Sequence, residues 1–344
     1  MSTASGVSQS NKYKDIFIYG GTSILLLLLS SGFVYVIYGT IGFLEQIYVT
    51  VVTWIILDMM ILPGFSKIQK MLKATFGKDK RSKCVGYLVY IVVPPLLFNG
   101  LLYQFKYLTG LFEFTLYILV PTSIVFLITI TERIDDMIRK SYWIDVAFVL
   151  FYFYTFDARL FKNTFNVFGD PSYNILSLYM SSVLIYVLIF LRDRKDIGFN
   201  LKVTKKDIIP WISNLVVFTI IAIPIALATG FITPRTTFES PLIFIVYFIG
   251  IFLTIAIIEE LAFRGALLNF IEKITGNKML ALFISSIIFG ISHYNNATPW
   301  DMRYIGLATI AGIFYGLAYL KQKRLLPAVL IHTSVDTIWK YFFY

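Results

Sequence analysis

The feature that most constrains this chain is the recurrence of long apolar stretches. At least six of them exceed the roughly 18 residues needed to cross a bilayer. Such stretches imply an all-α fold, a polytopic transmembrane helix bundle, because a lipid-exposed backbone must satisfy its hydrogen bonds within its own segment. Composition agrees. Hydrophobic residues make up 58% of the chain and charged residues 15%, against about 25% charged in soluble domains. A soluble enzyme, a disordered chain and a secreted disulfide scaffold are excluded. The single cysteine, Cys84, permits no internal disulfide and no cysteine metal cluster. His293 and His332 are the only histidines, so no mechanism can use three.

The expected spans are 16–38, 41–63, 84–105, 111–131, 142–160, 175–191, 211–232, 241–260, 279–293, 304–320 and 325–342, about eleven in all. No A-x-A type cleavage site follows the first, which reads as an uncleaved span rather than a signal peptide. With the N-terminus inside, the inner segments hold 24 of the 30 lysines and arginines. That asymmetry is the positive-inside pattern, so the net charge of +10 implies no nucleic-acid partner. The expectation is an integral, multi-pass plasma-membrane protein with a cytoplasmic N-terminus, of a compact plan that points to bacteria. Membrane lipids are expected partners, with the basic run Lys67 to Lys83 reaching anionic headgroups.

The polar loop Arg192–Asp207 divides the chain into residues 1–207, a six-span membrane region of unknown role, and residues 208–344. No internal repeat is evident, which counts against an inverted-repeat transporter. Gly312 and Gly316 form a G-x-x-x-G whose first reading is close helix packing, with homodimerisation the other. Glu45, Glu113 and Asp145 lie near expected span ends, within reach of water. Asp58 is deeper. It reads as a polar contact between helices, or, in a transporter, as a coupling site.

Charge inside a membrane costs about 2.5–3.5 kcal/mol per residue on insertion scales and needs a reason. Three segments of the C-terminal part concentrate it. In IAIIEELAFRGALLNFI, Glu259 and Glu260 interrupt an apolar helix, and Arg264 follows Glu260 by four residues, on the same face. Glu259 lies about 100° round the helix and need not share that arginine. One glutamate can therefore be held by a salt bridge while the other faces a cavity, where a carboxylate can take a proton from water. A capping salt bridge at a helix end is the alternative. In SSIIFGISHYNNATPW, Phe289 and His293 are four apart; a lone histidine there is more often a satisfied core residue. In LLPAVLIHTSVDTIW, His332 and Asp336 are four apart, so the aspartate can orient the imidazole or share a ligand. Both histidines fall in the last 52 residues, after the paired glutamates. Together these groups suffice to activate water with a carboxylate base, or to hold zinc with an open water position. Spacing does not choose between the two.

The ordered triple Glu259-Glu260-x-x-x-Arg264, Phe289-x-x-x-His293 and His332-x-x-x-Asp336 resembles the CPBP family of CAAX proteases and bacteriocin-processing enzymes, also called the Abi family. The resemblance covers roughly residues 241–340. It implies an intramembrane endopeptidase, metallo- or glutamate-type, acting on a membrane-associated or lipid-attached protein or a small precursor peptide. By position, Glu259 corresponds to the water-activating base, helped by His293. Glu260 corresponds to the second motif glutamate, paired with Arg264. His332 and Asp336 correspond to the oxyanion-binding or metal-holding pair. The prenyl endopeptidases often carry asparagine where Asp336 stands, a departure that leans toward a metal ligand or histidine orienter. Zinc stays open, with Glu259, His293 and His332 as its ligands. A non-catalytic member acting as scaffold, regulator or immunity protein is the alternative. The expected spans put Glu259 and His293 at opposite ends of neighbouring spans. For one site to form, the glutamate helix must run on to about Ile271, or 279–293 must be short and re-entrant, or the boundaries must shift.

Overall fold

The computed structural model describes residues 4–39, 41–103, 108–160, 163–167, 170–171, 173–296 and 300–344. The end of the expected 84–105 span and part of the Ser285–Trp300 segment fall outside them. The architecture is a helical bundle, with one two-residue antiparallel pairing, Asn166–Val167 with Asp170–Pro171, in a loop.

The helices are α1 (Ala4–Tyr38), α2 (Phe43–Ile61), α3 (Ser66–Phe76), α4 (Lys80–Phe98), α5 (Gly110–Ile130), α6 (Asp136–Lys140), α7 (Tyr142–Asp157), α8 (Tyr173–Leu191), α9 (Lys205–Ala228), α10 (Pro241–Thr275), α11 (Lys278–Ile291), α12 (Met302–Gln322) and α13 (Leu325–Phe342). Eight are long and apolar enough to cross a membrane, fewer than the eleven expected, counting only the described residues. The reasons are local. α7 has 16 residues and α11 only 14, short of a bilayer's thickness. α13 has 18 residues but carries His332, Asp336 and Lys340 among them.

α8 is the central pillar: 94% of it is buried, whereas α1, α9 and α10 bury about a fifth and turn their remaining apolar surface outward. An outward apolar surface is what lipid requires. Around α8, polar bonds tie neighbouring helices, the second of them joining the two halves of the chain. Tyr179 Oη donates to the Ile91 carbonyl at 2.6 Å, and Ser177 Oγ donates to the Thr254 carbonyl of α10.

Two charges expected near water are not there. Asp145 is 1% exposed and held by Arg192 Nε at 2.6 Å and Arg194 Nε at 2.7 Å. Arg264, assigned to an inner loop by hydropathy, is fully buried. Both cases have one cause: a buried counter-charge offsets desolvation, and hydropathy reads residues singly. Glu113 accepts from the Asn163 backbone N–H at 2.8 Å, and Asp58 accepts from Ser23 Oγ at 2.6 Å, a polar contact between α1 and α2.

Several helices contain wide π turns. Those at Leu88–Val92 and Thr115–Leu119 stand just before Pro94-Pro95 and Pro121, where a missing N–H disturbs the ladder. The two in α10, at Phe252–Ala256 and Leu261–Leu268, have no proline to explain them. They flank the single regular turn Ile257–Glu260. Such turns recur at functional sites.

Candidate active site

α10 runs unbroken to Thr275, so Glu259 and Glu260 sit in mid-helix rather than at a span end. α11 ends at Ile291, and His293 lies in the tight turn Ser292–Asn296 just beyond. The long glutamate helix and the short α11 together remove the mismatch that the expected span ends created.

Glu260 is wholly committed at one oxygen. Its Oε1 accepts from Arg264 Nη1 at 2.7 Å and meets His332 Nδ1 at 2.8 Å. A carboxylate paired with arginine can only accept, so Nδ1 carries the proton and Nε2 is the outward nitrogen of His332. That nitrogen stands 3.7 Å from Glu259 Oε2 and 3.4 Å from Asp336 Oδ2. Glu259 Oε2 itself is buried without a hydrogen-bond partner. Glu260 Oε2 is likewise buried without a partner, so the two glutamates differ in that only Glu260 is held, through Oε1, by Arg264 and His332.

Arg264 is held on all sides. Its Nη2 donates to the Gly312 carbonyl at 3.2 Å, and its guanidinium lies 4.2 Å from the Phe289 ring and 5.1 Å from that of Tyr315. Gly312 makes this approach feasible. A Cβ there would lie 3.1 Å from Ser286 Cα and 3.3 Å from Arg264 Nη2. The G-x-x-x-G therefore seats α12 against α11 inside one chain.

His293 Nδ1 lies 2.8 Å from the Phe289 carbonyl, which can only accept, so Nδ1 donates and Nε2 keeps its lone pair. The ring packs 4.7 Å from Phe289 and 5.1 Å from Tyr304. Phe289 also packs 5.8 Å from His332, while Tyr315 stacks on His332 at 5.0 Å. Both histidines and Asp336 border a mostly apolar cavity of about 100 Å³ between α9, α12 and α13, walled by Phe218, Leu307 and Trp339 among others.

Glu259, Glu260, Arg264, His332 and Asp336 are thus brought into one cluster, with His293 one aromatic ring away. Tyr304, Tyr315 and Trp339 were missed by sequence reasoning, since nothing marks three aromatic residues in a chain with 23 tyrosines and five tryptophans. Asp157, at the end of α7, was missed too; it lies within charge interaction of Glu259 and Tyr304, so the N-terminal half reaches the site. Among the described residues, no three His, Cys, Asp or Glu side chains converge as a metal ion would require. Glu259, His293 and His332, the expected zinc ligands, are not among such a group.

A polytopic helical membrane protein with an acid–imidazole–guanidinium cluster largely buried in its interior has the makings of membrane-embedded acid–base chemistry. Residues 241–338, from α10 through most of α13, match the family model described as Type II CAAX prenyl endopeptidase Rce1-like. The chain is also 27% identical over 175 residues to the membrane-embedded CAAX protease MroQ of Staphylococcus aureus (strain USA300), covering 46% of this chain and 67% of that protein. No solved structure matches. The C-terminal part of the chain is thus similar to the CAAX prenyl endopeptidases, and a wider stretch of it to a membrane-embedded CAAX protease.

Proposed function

We propose that the chain is an endopeptidase that hydrolyses a peptide bond with water activated by Glu259. The observation that carries this reading is the division of labour between the two glutamates. Glu260 is neutralised by Arg264 and spends its oxygen positioning His332. Glu259 has no arginine partner among the described residues, and its Oε2 lies 3.7 Å from the outer nitrogen of the same imidazole with no hydrogen bond made. A base needs that availability.

In this reading Glu259 takes a proton from water while the water oxygen attacks the scissile carbonyl. Charge builds on the carbonyl oxygen, where an N–H from an imidazole can stabilise it. His332 is best placed for that role as an imidazolium: Nδ1–H donates to Glu260, which fixes the ring, and Nε2–H, drawn toward Asp336, is the donor left for the oxyanion. When the C–N bond breaks, the proton held by Glu259 passes to the leaving amine. His293 supports the water, and Arg264 positions rather than reacts.

The apolar cavity at the histidines suits a substrate segment that is itself apolar. A membrane-associated protein or small precursor peptide in a bacterial plasma membrane is the class proposed, with the N-terminus of this chain on the cytoplasmic side. Residues 1–207 are assigned to holding α10 and supplying Asp157, and residues 208–344 to catalysis. The test is cleavage of a mixed peptide library by purified protein. Variants Glu259→Ala and His293→Ala should lose cleavage, and full activity in either sinks the assignment.

A further inference from the structure

Away from the catalytic cluster the molecule holds a second, more polar cavity of about 370 Å³. Three separated parts of the chain wall it. α3 contributes Ser66, Lys70 and Lys73; the loop between the halves contributes Arg194 and Lys195; the turn between α12 and α13 contributes Lys323 and Arg324. Six lining side chains are cationic and none is a carboxylate.

Four of the six are paired with acids behind the wall: Lys73 with Asp193, Arg194 with Asp145, Lys323 with Glu272 and Arg324 with Asp207. Lys70 and Lys195 have no such partner among the described residues. Ser66 Oγ accepts from Asn200 Nδ2 at 3.1 Å, which leaves its own proton to donate. Asn200 and Ser66 are thus set by each other.

The cavity is built into the fold. Gly198 has φ +73°, and a Cβ on it would strike the Lys323 carbonyl. The Leu325 N–H donates to the Gly198 carbonyl at 3.0 Å, locking loop to turn. Gln69 Nε2 donates to the Phe199 carbonyl at 3.2 Å, locking loop to α3. α3 is amphipathic, with Ile68 buried and Met71 60% exposed, as in a helix lying along a membrane interface. The start of α3, the α8–α9 loop and the α12–α13 turn meet here, and connections between spans lie where hydrocarbon gives way to headgroups.

We propose that this cavity binds a phosphate-bearing anion, held by the uncommitted Lys70 and Lys195 and by the Ser66 hydroxyl. Lysine acts on phosphate as a point charge, and basic pockets at this depth attract anionic headgroups. A lipid phosphodiester and free inorganic phosphate share the chemistry. Because the cavity joins the N-terminal half to the C-terminal hairpin, its occupant stabilises the whole chain.

The test uses the full chain in neutral detergent. Its thermal unfolding midpoint is followed during titration with short-chain phosphatidylglycerol and, separately, with inorganic phosphate, at matched ionic strength. A saturable rise is expected with at least one. A rise with both identifies phosphate as sufficient; a rise with the lipid alone identifies a headgroup site. Lys70→Ala/Lys195→Ala should weaken the apparent affinity at least tenfold, and Lys195→Glu alone should do likewise. Lys80→Ala/Lys205→Ala removes the same charge outside the cavity and should leave the affinity unchanged. No saturable rise with either probe, or equal weakening in both double variants, overturns the proposal.

Discussion

Arg264→Met tests the buried ion pair around which the cluster is organised. Methionine keeps the apolar stem and removes the guanidinium. Glu260, fully buried, then keeps only the His332 N–H at 2.8 Å. The Gly312 carbonyl loses its 3.2 Å donor, and Phe289 its cation at 4.2 Å. Breaking a buried pair by removing one partner costs about 3–5 kcal/mol. The surviving His332 bond places this case near 3 kcal/mol. Glu260→Gln leaves Arg264 buried and uncompensated, which places it in the upper part of the same range. A chain with about 5–15 kcal/mol of total stability feels either change strongly. The double variant leaves no orphan charge, so its cost should fall short of the sum by about 2–3 kcal/mol. Equilibrium unfolding in mixed detergent micelles measures all three. Single costs below about 1 kcal/mol, or a double variant additive within about 0.5 kcal/mol, would refute the pairing argument.

Three further predictions follow from particular contacts. Gly290→Val should cost about 1–3 kcal/mol by the same unfolding assay, because its Cβ would meet the Thr309 hydroxyl and lie 2.7 Å from the Ile305 carbonyl oxygen. His332→Ala should lower kcat by about 10²–10⁴ while Glu260 remains held by Arg264. Asp58→Asn should leave cleavage unchanged and alter stability by about 1 kcal/mol, since its role is the Ser23 bond; abolished activity would return the coupling-site reading to contention.

The cluster was legible because its residue types are scarce. Two histidines and a glutamate pair stand out in a chain that is 58% hydrophobic. Helical spacing also set Arg264 beside Glu260 and His332 beside Asp336, and both pairs are close in the fold. The contacts that cross between helices were not legible. Nothing in the spacing says that His332 reaches Glu260 across 72 residues, or that Tyr315 stacks on it. Span ends were misplaced where ion pairs lie inside the bundle. The expected end at 260 preceded Arg264, yet α10 continues to Thr275 because Glu260, Phe289 and Tyr315 surround that arginine. Asp145 was set near water for the same reason, although Arg192 and Arg194 bury it. Charge–charge compensation is a property of pairs, and pairs distant in sequence leave no trace in a hydropathy window.

Cleavage of one peptide, before and after exhaustive chelation, by wild type and by Glu259→Gln, tests the central claim most directly. Zinc content is measured on the same samples. Activity that survives chelation and falls at least about 10²-fold in Glu259→Gln is the predicted result. Stoichiometric zinc, lost together with cleavage in His293→Ala/His332→Ala, would contradict it.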